Sequence, residues 1–400
     1  MLAADFDLRT IDQAFLDDPY PTYRDLREND PVHCCPDGSY FLTRYDDVLA
    51  VYRDHERFSS DKKIDFKPNF GDSPLYEHHT TSLVFNDAPY HTRVRSLLAP
   101  AFTPRALEEL RARVEAFIDD RLDDLVDRGR FDLIANFASP LPVQLIGDML
   151  GVPESQRGPL RGWSLAILSA LEPRLSPEVF EAGCRAVDDF KAFLGDLIAH
   201  RRRHRAPEGQ GEILSKLIDA EWDGERLSEI ELFHNCIFLL NAGHETTTNL
   251  IGNGVDALFR FPGERDRLVA DPALIKPAVE EMLRYESSNQ LGNRRATVDV
   301  GVGGAAIPAG GYIHVCIGAA NRDPAHFPDP DQFDITRKPN RHLAFGSGVH
   351  TCAGAALARM EGQIAIGKLV QRFPKLRPDG PPVRGGRVRF RGFLELPAAV

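Results

Sequence analysis

The chain has 400 residues, of which 42% are hydrophobic and 27% are charged, and this balance excludes a largely disordered protein. The net charge of -11 argues against a nucleic-acid partner. The six cysteines form no Cys-x-x-Cys pair, which argues against a zinc site or a disulfide framework. The chain has no basic leader and no apolar run of about 18 residues. We therefore expect a cytoplasmic protein without a membrane anchor.

The first part of the chain predicts a hairpin followed by helices. Val32–Cys35 and Tyr40–Thr43 flank the turn residues Pro36-Asp37-Gly38, a pattern typical of a β-hairpin. We expect a helix to begin around Tyr45. A longer helical pattern covers Thr103–Asp127.

The second part of the chain predicts one long helix and then short strands. Ser228 opens a stretch without proline that reaches Phe261, and Glu231 completes a capping box with Ser228. A helix of that length would span roughly 50 Å. A further amphipathic helix is predicted from Ala355 to Phe373. Short strands are predicted at Thr297–Val302, Ala305–Ile307 and Tyr312–Ile317.

These elements predict a mainly α fold with a small β region. No internal repeat or low-complexity linker divides the chain. We therefore expect a single domain over residues 1–400.

The segment that restricts function most is Phe345-Gly346-Ser347-Gly348-Val349-His350-Thr351-Cys352-Ala353-Gly354. The helix predicted from Ala355 places the thiol of Cys352 near a helix N-terminus. Unpaired N–H groups and the positive end of the helix dipole favour a thiolate there. The alternative is a buried structural cysteine beside a glycine-rich turn. The arrangement suits a single anionic sulfur ligand for a metal.

The pattern Phe-Gly-x-Gly-x-His-x-Cys-x-Gly resembles the haem-binding signature of the cytochrome P450 family at every fixed position. The resemblance implies a cytochrome P450-like fold, with haem b held between the long central helix and the cysteine loop. It also implies that Cys352 is the axial thiolate of the haem iron and that Phe345 and Gly346 contact the haem.

The segment Ala242-Gly243-His244-Glu245-Thr246-Thr247 lies within the long predicted helix. A glycine beside a cluster of threonines is expected to open the helix locally. The segment resembles the family's oxygen-binding motif, which implies that Thr246 positions O₂ and its water and that Glu245 relays protons. The resemblance also places Ala242 against the haem.

Glu281 and Arg284 resemble the family's Glu-x-x-Arg motif, which implies a structural ion pair that supports the cysteine loop. Their i, i+3 spacing places both side chains on one helix face. The family normally supplies a third member, an arginine, from a Pro-Glu/Asp-Arg-Phe segment. Gln332 stands at that position here and cannot share the charge.

The two propionates of a haem require cationic or hydrogen-bonding partners. The resemblance assigns this role to residues in three segments, with Arg295 as the alternative to Arg294. The predicted propionate partners are His91, Arg95, Arg294 and His350.

The resemblance also predicts which residues contact the substrate. They are Phe238, Asn241, Asn289, Leu291 and Phe393. The two asparagines are polar where a hydrocarbon pocket would be aliphatic, and an unpaired buried amide costs about 1 to 3 kcal/mol. We therefore hypothesise a small organic substrate with a hydrogen-bonding oxygen, for example a terpenoid or an oxygenated aromatic.

The resemblance implies a monooxygenase that hydroxylates or oxidatively dealkylates its substrate with O₂. No flavin or nicotinamide domain fits in this length, so we expect a monomer that receives electrons from a separate ferredoxin and ferredoxin reductase. Two alternatives stay open, a thiolate-haem peroxygenase and a haem-binding sensor without catalysis. Glu245 and Thr246 favour O₂ activation, because neither alternative needs a proton relay.

Overall fold

The structure is a computed structural model that describes residues 5–204, 212–219, 221–222 and 225–400. Helices dominate it, as the sequence predicted. The described helices are α1 (Gln13–Asp17), α2 (Tyr20–Asn29), α3 (Tyr45–Arg53), α4 (Lys63–Phe70), α5 (Pro74–Thr81), α6 (Tyr90–Leu98), α7 (Pro104–Arg128), α8 (Pro140–Leu150), α9 (Leu160–Ser169), α10 (Pro177–Arg203), α11 (Glu212–Asp219), α12 (Glu229–Arg260), α13 (Pro262–Ala270), α14 (Ile275–Tyr285), α15 (Ile317–Ala320) and α16 (Ala355–Arg372).

The strands are short and form a small part of the molecule. They are β1 (Val32–Cys34), β2 (Tyr40–Leu42), β3 (Phe58–Ser59), β4 (Arg130–Asp132), β5 (Glu221–Trp222), β6 (Glu225–Arg226), β7 (Leu291–Ala296), β8 (Val300–Val302), β9 (Ala305–Ile307), β10 (Tyr312–Cys316), β11 (Arg377–Pro378), β12 (Val383–Arg384), β13 (Phe393–Glu395) and β14 (Pro397–Ala399). The largest described sheet has the strand order β1-β2-β10-β7-β3. Strand β10 is parallel to β2 and antiparallel to β7.

Local sequence signals located most of these elements. The predicted hairpin is confirmed, with β1 and β2 antiparallel, and α3 begins at the predicted Tyr45. The predicted strand at Thr297–Val302 is too long, because only Val300–Val302 is extended and paired. Strand β7 was missed, because its sequence contains Gly292 and two arginines and is held in the sheet by β10 and β3 on its two sides.

The long helix α12 begins with the predicted capping box. The backbone N–H of Ser228 donates to Oε2 of Glu231 at 2.8 Å, and the backbone N–H of Glu231 donates to Oγ of Ser228 at 3.3 Å. This reciprocal pair satisfies two amide groups that the first helical turn leaves without partners.

Contacts between Cα atoms divide the chain into two compact units, and neither unit is continuous in sequence. Unit 1 comprises Met1–Ser59, Glu115–Ser139 and Thr246–Val400, and unit 2 comprises Ser60–Val114 and Pro140–Glu245. The single domain expected over the whole chain stays a prediction. Among the described helices, none combines the length and the apolar character needed to cross a membrane.

The core of unit 1 supports the start of the cysteine segment. One apolar cluster joins α3 to the five-stranded sheet and includes Leu42, Tyr52, Val315 and Leu343. Leu343 lies just before Phe345 in sequence and is 3% exposed. Burial of such side chains stabilises the fold by about 1.5 to 3 kcal/mol each, so the first end of the loop is anchored in the core.

Candidate active site

The cysteine loop is a closed turn that leads into α16. The backbone N–H of Cys352 donates to the carbonyl oxygen of Phe345 at 2.9 Å. Gly346 and Gly348 have φ values of 68° and 72°, in the left-handed region that favours glycine. A Cβ on Gly348 would also overlap with the backbone of Tyr52. The thiol of Cys352 is exposed, and α16 begins at Ala355, as predicted.

A fully buried ion pair stands behind the loop. Arg284 Nε and Nη2 each donate to a carboxylate oxygen of Glu281 at 2.8 Å, and both side chains are 0% exposed. The same guanidinium donates to the carbonyl oxygens of Asn321, Pro330 and Gln332. The pairing predicted from the i, i+3 spacing is therefore present, and it ties the helix α14 to the segment that precedes the loop.

The third charged member of this network is Arg337, which the sequence analysis did not identify. Its Nε donates to Oε1 of Glu281 at 3.1 Å, and its Nη2 donates to the carbonyl oxygen of Gln332 at 3.0 Å. Gln332 is exposed, and the network uses its backbone carbonyl. Asn340 Nδ2 adds a further bond to Glu281 Oε2 at 3.1 Å. The charge that Gln332 cannot supply therefore comes from a residue slightly later in the same segment.

One stripe in the middle of helix α12 is open to solvent at Ala242. Ala242 is exposed, and Phe238 and Thr246 are half-buried. These three positions recur at intervals of four residues and so share one helix face. Asn241 and Glu245, beside that stripe, are each 3% exposed. The positions predicted to face the haem and O₂ thus lie on one surface, with Glu245 next to Thr246.

The expected local opening of α12 is wrong. The α-helix continues without a break through Gly243. A Cβ on Gly243 would overlap with Cδ1 of Ile146 in α8. The glycine therefore allows α8 to pack closely against α12, and it does not interrupt the helical hydrogen bonds.

A buried carboxyl group that the sequence analysis missed lies beside this motif. Glu361 in α16 is 3% exposed, and its Oε2 accepts a hydrogen bond from Thr247 Oγ1 at 3.4 Å. Burial raises the pKa of Glu361 to about 8, although the Thr247 hydroxyl opposes the shift. The carboxyl group is therefore mainly protonated at neutral pH. The sequence signal was weak, since a glutamate in an amphipathic helix is usually exposed.

The candidate propionate partners lie on separate elements. Arg294 on β7 is 8% exposed, lies over the Tyr52 ring at 5.1 Å and donates to the carbonyl oxygen of Asn293 at 2.7 Å. His350 is half-buried in the short turn that precedes Cys352. Both belong to unit 1, as does Cys352.

The other two candidates lie on α6 in unit 2. His91 is 5% exposed and Arg95 is half-buried, and their i, i+4 spacing places them on one face of the helix. Their role toward the propionates stays a prediction.

These groups fit a haem in their chemistry. The loop presents one exposed thiol close to the N-terminus of α16, where the thiolate is favoured. Gly346 leaves open space beside it, because the nearest atom to a Cβ there is the carbonyl oxygen of His350 at 4.0 Å. The predicted propionate partners are two arginines and two histidines, side chains whose chemistry suits a pair of carboxylates. The role of Cys352 toward the iron, and that of the four predicted propionate partners, stay predictions.

The two asparagines predicted to contact the substrate differ. Asn241 is 3% exposed, and neither atom of its amide has a hydrogen-bond partner among the described residues. Asn289 is half-buried, and its Oδ1 accepts a hydrogen bond from the backbone N–H of Leu291 at 3.4 Å. Asn289 also forms an isolated bridge to Phe390. Of the two, Asn241 is therefore the one whose amide is buried and unpaired among the described residues.

The two apolar candidates outside α12 also differ. Leu291 is 0% exposed and packs in an apolar cluster with Phe41 and Cys316, which is a core position. Phe393 is 3% exposed, lies 3.9 Å from the guanidinium of Arg384 and faces α12. A substrate contact stays a prediction for both.

The chain is similar to known proteins over nearly its whole length. A family model described as cytochrome P450 matches residues 166–383. The chain is 41% identical over 410 residues to cytochrome P450 107B1 of Saccharopolyspora erythraea, covering 98% of this chain and 97% of that protein. It is 39% identical over 402 residues to the cytochrome P450 monooxygenase PikC of Streptomyces venezuelae, covering 98% of this chain and 93% of that protein.

A solved structure supports the same assignment. P450BioI, in complex with an acyl carrier protein ligated to hexadec-9Z-enoic acid, matches with a TM-score of 0.91 at 34% identity. The match covers 98% of this chain and 100% of that chain. Because sequence and fold agree over nearly the full length, the chain belongs to the cytochrome P450 family and is a monooxygenase that binds haem b.

Proposed function

We propose that this monooxygenase oxidises a small, mainly apolar organic molecule that carries a hydrogen-bonding oxygen, such as a terpenoid or an oxygenated aromatic. The observation that carries the proposal is the buried, unpaired amide of Asn241. An amide in this state costs about 1 to 3 kcal/mol, and a substrate hydroxyl or carbonyl group would offset that cost. Asn241 is adjacent in sequence to Ala242 on the open stripe of α12.

The residues of the site divide the remaining work. When bound, the haem activates O₂ with two electrons for insertion of one oxygen atom into the substrate. Cys352 would supply the thiolate that holds the haem iron. Thr246 Oγ1 would hold a proton and a water on the open face of α12, and the Glu245 carboxyl group would pass protons to it. Phe238 and Phe393 would limit the space open to the substrate.

We further propose that a separate ferredoxin and its reductase supply the electrons. This proposal rests on the family to which the chain belongs, since a cytochrome P450 monooxygenase needs two electrons for each oxygen atom that it inserts into a substrate. The expected monomeric state and cytoplasmic location stay predictions.

The substrate proposal is tested with Asn241→Leu and paired compounds that differ by one oxygen, such as limonene and carveol. Substrate binding is measured from the shift of haem absorption. We expect Asn241→Leu to weaken binding of the alcohol by roughly tenfold, which corresponds to about 1.4 kcal/mol, and to leave the hydrocarbon unchanged or tighter. Equal effects on both compounds would contradict the proposal.

Asn235→Leu is the matched control on the same helix. Asn235 Oδ1 accepts from the backbone N–H of Leu83 at 3.0 Å, and its Nδ2 donates to the carbonyl oxygen of Glu231 at 2.8 Å. Because its amide is already paired, this substitution should lower stability without discriminating between alcohol and hydrocarbon.

The catalytic roles are tested separately. Cys352→Ala should abolish the thiolate signature of the reduced, carbon-monoxide-bound haem, and an unchanged spectrum would contradict the ligand assignment. Thr246→Ala should lower the product formed per electron with O₂ and a ferredoxin system. If the wild-type enzyme turned over with peroxide alone and not with O₂, a peroxygenase would be the better description.

A further inference from the structure

Strands β12 and β13 pair antiparallel and form a hairpin near the C-terminus. This hairpin meets the second half of α12 at a position where the space allows only a glycine. Gly392 lies just before β13, and a Cβ added to it would overlap with Oδ1 and Cγ of Asn249 in α12. The backbone of Gly392 is not in the left-handed region. Its lack of a side chain therefore serves the approach of the Asn249 amide and not an unusual backbone conformation.

The residues on either side of Gly392 also meet α12. The Nδ2 of Asn253 donates to the carbonyl oxygen of Arg391 at 3.0 Å. Phe393 Cδ2 lies 3.7 Å from where a Cβ on Gly252 would stand. Three consecutive hairpin residues thus face three positions on one side of the helix, since Asn249, Gly252 and Asn253 are related by i, i+3 and i, i+4 spacing. The register of the hairpin along α12 is therefore specified.

Asn249 is an unusual choice for a purely structural contact. It is 1% exposed, and neither atom of its amide has a hydrogen-bond partner among the described residues. An unpaired buried amide destabilises a protein, and an apolar side chain of similar size would avoid that effect. The amide lies so close to the backbone of Gly392 that any side chain added there would overlap with it.

We propose that Asn249 and Gly392 are positioning residues that determine substrate specificity by fixing the place of Phe393. The amide and the glycine together set how closely the hairpin approaches α12. Phe393 follows Gly392 directly, so a shift of the hairpin moves its ring. The inference rests on the proposed contact between Phe393 and the substrate.

The test uses the full-length holoenzyme and two haem ligands of different size, imidazole and 4-phenylimidazole. The ratio of their dissociation constants, read from haem absorption, reports the room above the haem independently of the natural substrate. We expect Gly392→Ala to change this ratio by about fivefold or more, which corresponds to about 1 kcal/mol. Asn249→Ala should change the ratio less, because it removes the amide that contacts Gly392 and introduces no new overlap.

The double variant Asn249→Ala/Gly392→Ala provides the decisive comparison. Removal of the amide makes room for the new methyl group, so the ratio should return to within about twofold of the wild-type value. Failure of the double variant to restore the ratio would overturn the proposed contact. The restoration also excludes misfolding of Gly392→Ala as the explanation.

Gly385→Ala and Phe393→Leu complete the design. Gly385 pairs with Gly392 across the hairpin, and a Cβ there would meet the flexible end of Arg387 at 3.3 Å and the carbonyl oxygen of Gly392 at an ordinary contact distance of 3.7 Å. Because neither contact forces the hairpin to move, the ratio for Gly385→Ala should stay at the wild-type value. Phe393→Leu should change the ratio. If Phe393→Leu changes the ratio and Gly392→Ala does not, the positioning role is overturned alone. If Phe393→Leu has no effect, the proposed role of Phe393 fails as well.

Discussion

Two buried ionisable groups, Glu286 in unit 1 and His78 in unit 2, are accommodated in opposite ways. In unit 1, Glu286 is 3% exposed; burial alone would raise its pKa, but Arg391, Arg384 and Arg322 lower it to about 2. In unit 2, His78 is 2% exposed, and burial holds its pKa well below the ordinary value. Glu286 is thus buried as a charge among arginines, whereas His78 is buried in its neutral form.

This difference predicts how the stability around each group depends on charge and on pH. Paired charges lock the position of the segments that they join, and the network around Glu281 joins those behind the cysteine loop. Neutral imidazoles tolerate burial until they are protonated. We therefore expect the free energy of unfolding to fall most when a member of a buried ion pair in unit 1 is removed. We expect protonation of His78 in unit 2 to lower it in acid.

The largest effect should follow from Arg284→Ala. Removal of one partner leaves the carboxylate of Glu281 buried with less compensation, which costs about 3 to 5 kcal/mol. The free energy of unfolding of the holoenzyme, measured with urea, and its haem content should both fall. Arg359→Ala is the control, because the Arg359–Glu280 pair is partly exposed and its loss should cost less than about 1 kcal/mol. Equal losses of stability in Arg284→Ala and Arg359→Ala would contradict the distinction between buried and partly exposed ion pairs.

Glu361 should make unit 1 sensitive to base. Its folded pKa is about 8 and its ordinary value is 4.5, so the folded state retains a proton that the unfolded chain releases. Stability is fully present below the ordinary value and is lost by up to ~1.4 kcal/mol per pH unit as the pH rises toward 8. Glu361→Gln should remove this slope in urea unfolding between about pH 6 and 8. A slope that persists in the variant would assign it to another group.

Arg337→Gln tests which residue completes the Glu281 network. The variant loses the charge and the bond to Oε1 of Glu281, and should cost about 1 to 3 kcal/mol in urea unfolding. Gln332→Ala is the matched control, because the network contacts its backbone carbonyl. It should change stability by less than about 0.5 kcal/mol. A larger loss of stability in Gln332→Ala than in Arg337→Gln would show that the Gln332 side chain completes the network.

The smallest effect should come from His78 in unit 2. The charged and titratable groups around it are His79 and Glu77 on α5, His234 on α12 and Lys191 on α10. Because its folded pKa is lowered, the unfolded chain binds the proton first, and stability falls as the pH drops below the ordinary value of 6.5.

His78→Phe should flatten the acid limb of the urea midpoint and leave the midpoint near pH 8 almost unchanged. His200→Phe serves as the control, since His200 is exposed on α10 and stacks on His204 with ring centroids 4.6 Å apart. If both variants lost stability in acid exactly as the wild type does, the acid response would belong elsewhere.

Short-range signals made much of the fold and the site predictable. The capping box located the start of α12, the Glu281–Arg284 spacing defined the buried ion pair, and the spacing around Cys352 indicated the thiolate loop. In each case the interacting residues are close in sequence, so local geometry decides the contact. The sequence showed that Gln332 cannot supply the third charge of the network. It did not show that Arg337 supplies it, because Arg337 reaches Glu281 only once the intervening segment is folded.

The sequence by itself therefore determined the helical fold, the cysteine loop and the family. Tertiary structure decided that Gly243 packs against Ile146 and does not open α12, that Glu361 is buried beside Thr247, and that Asn249 meets Gly392. These contacts join residues far apart in the chain, or depend on how much space a neighbour leaves. Their energies come from desolvation and close packing, which no local spacing records.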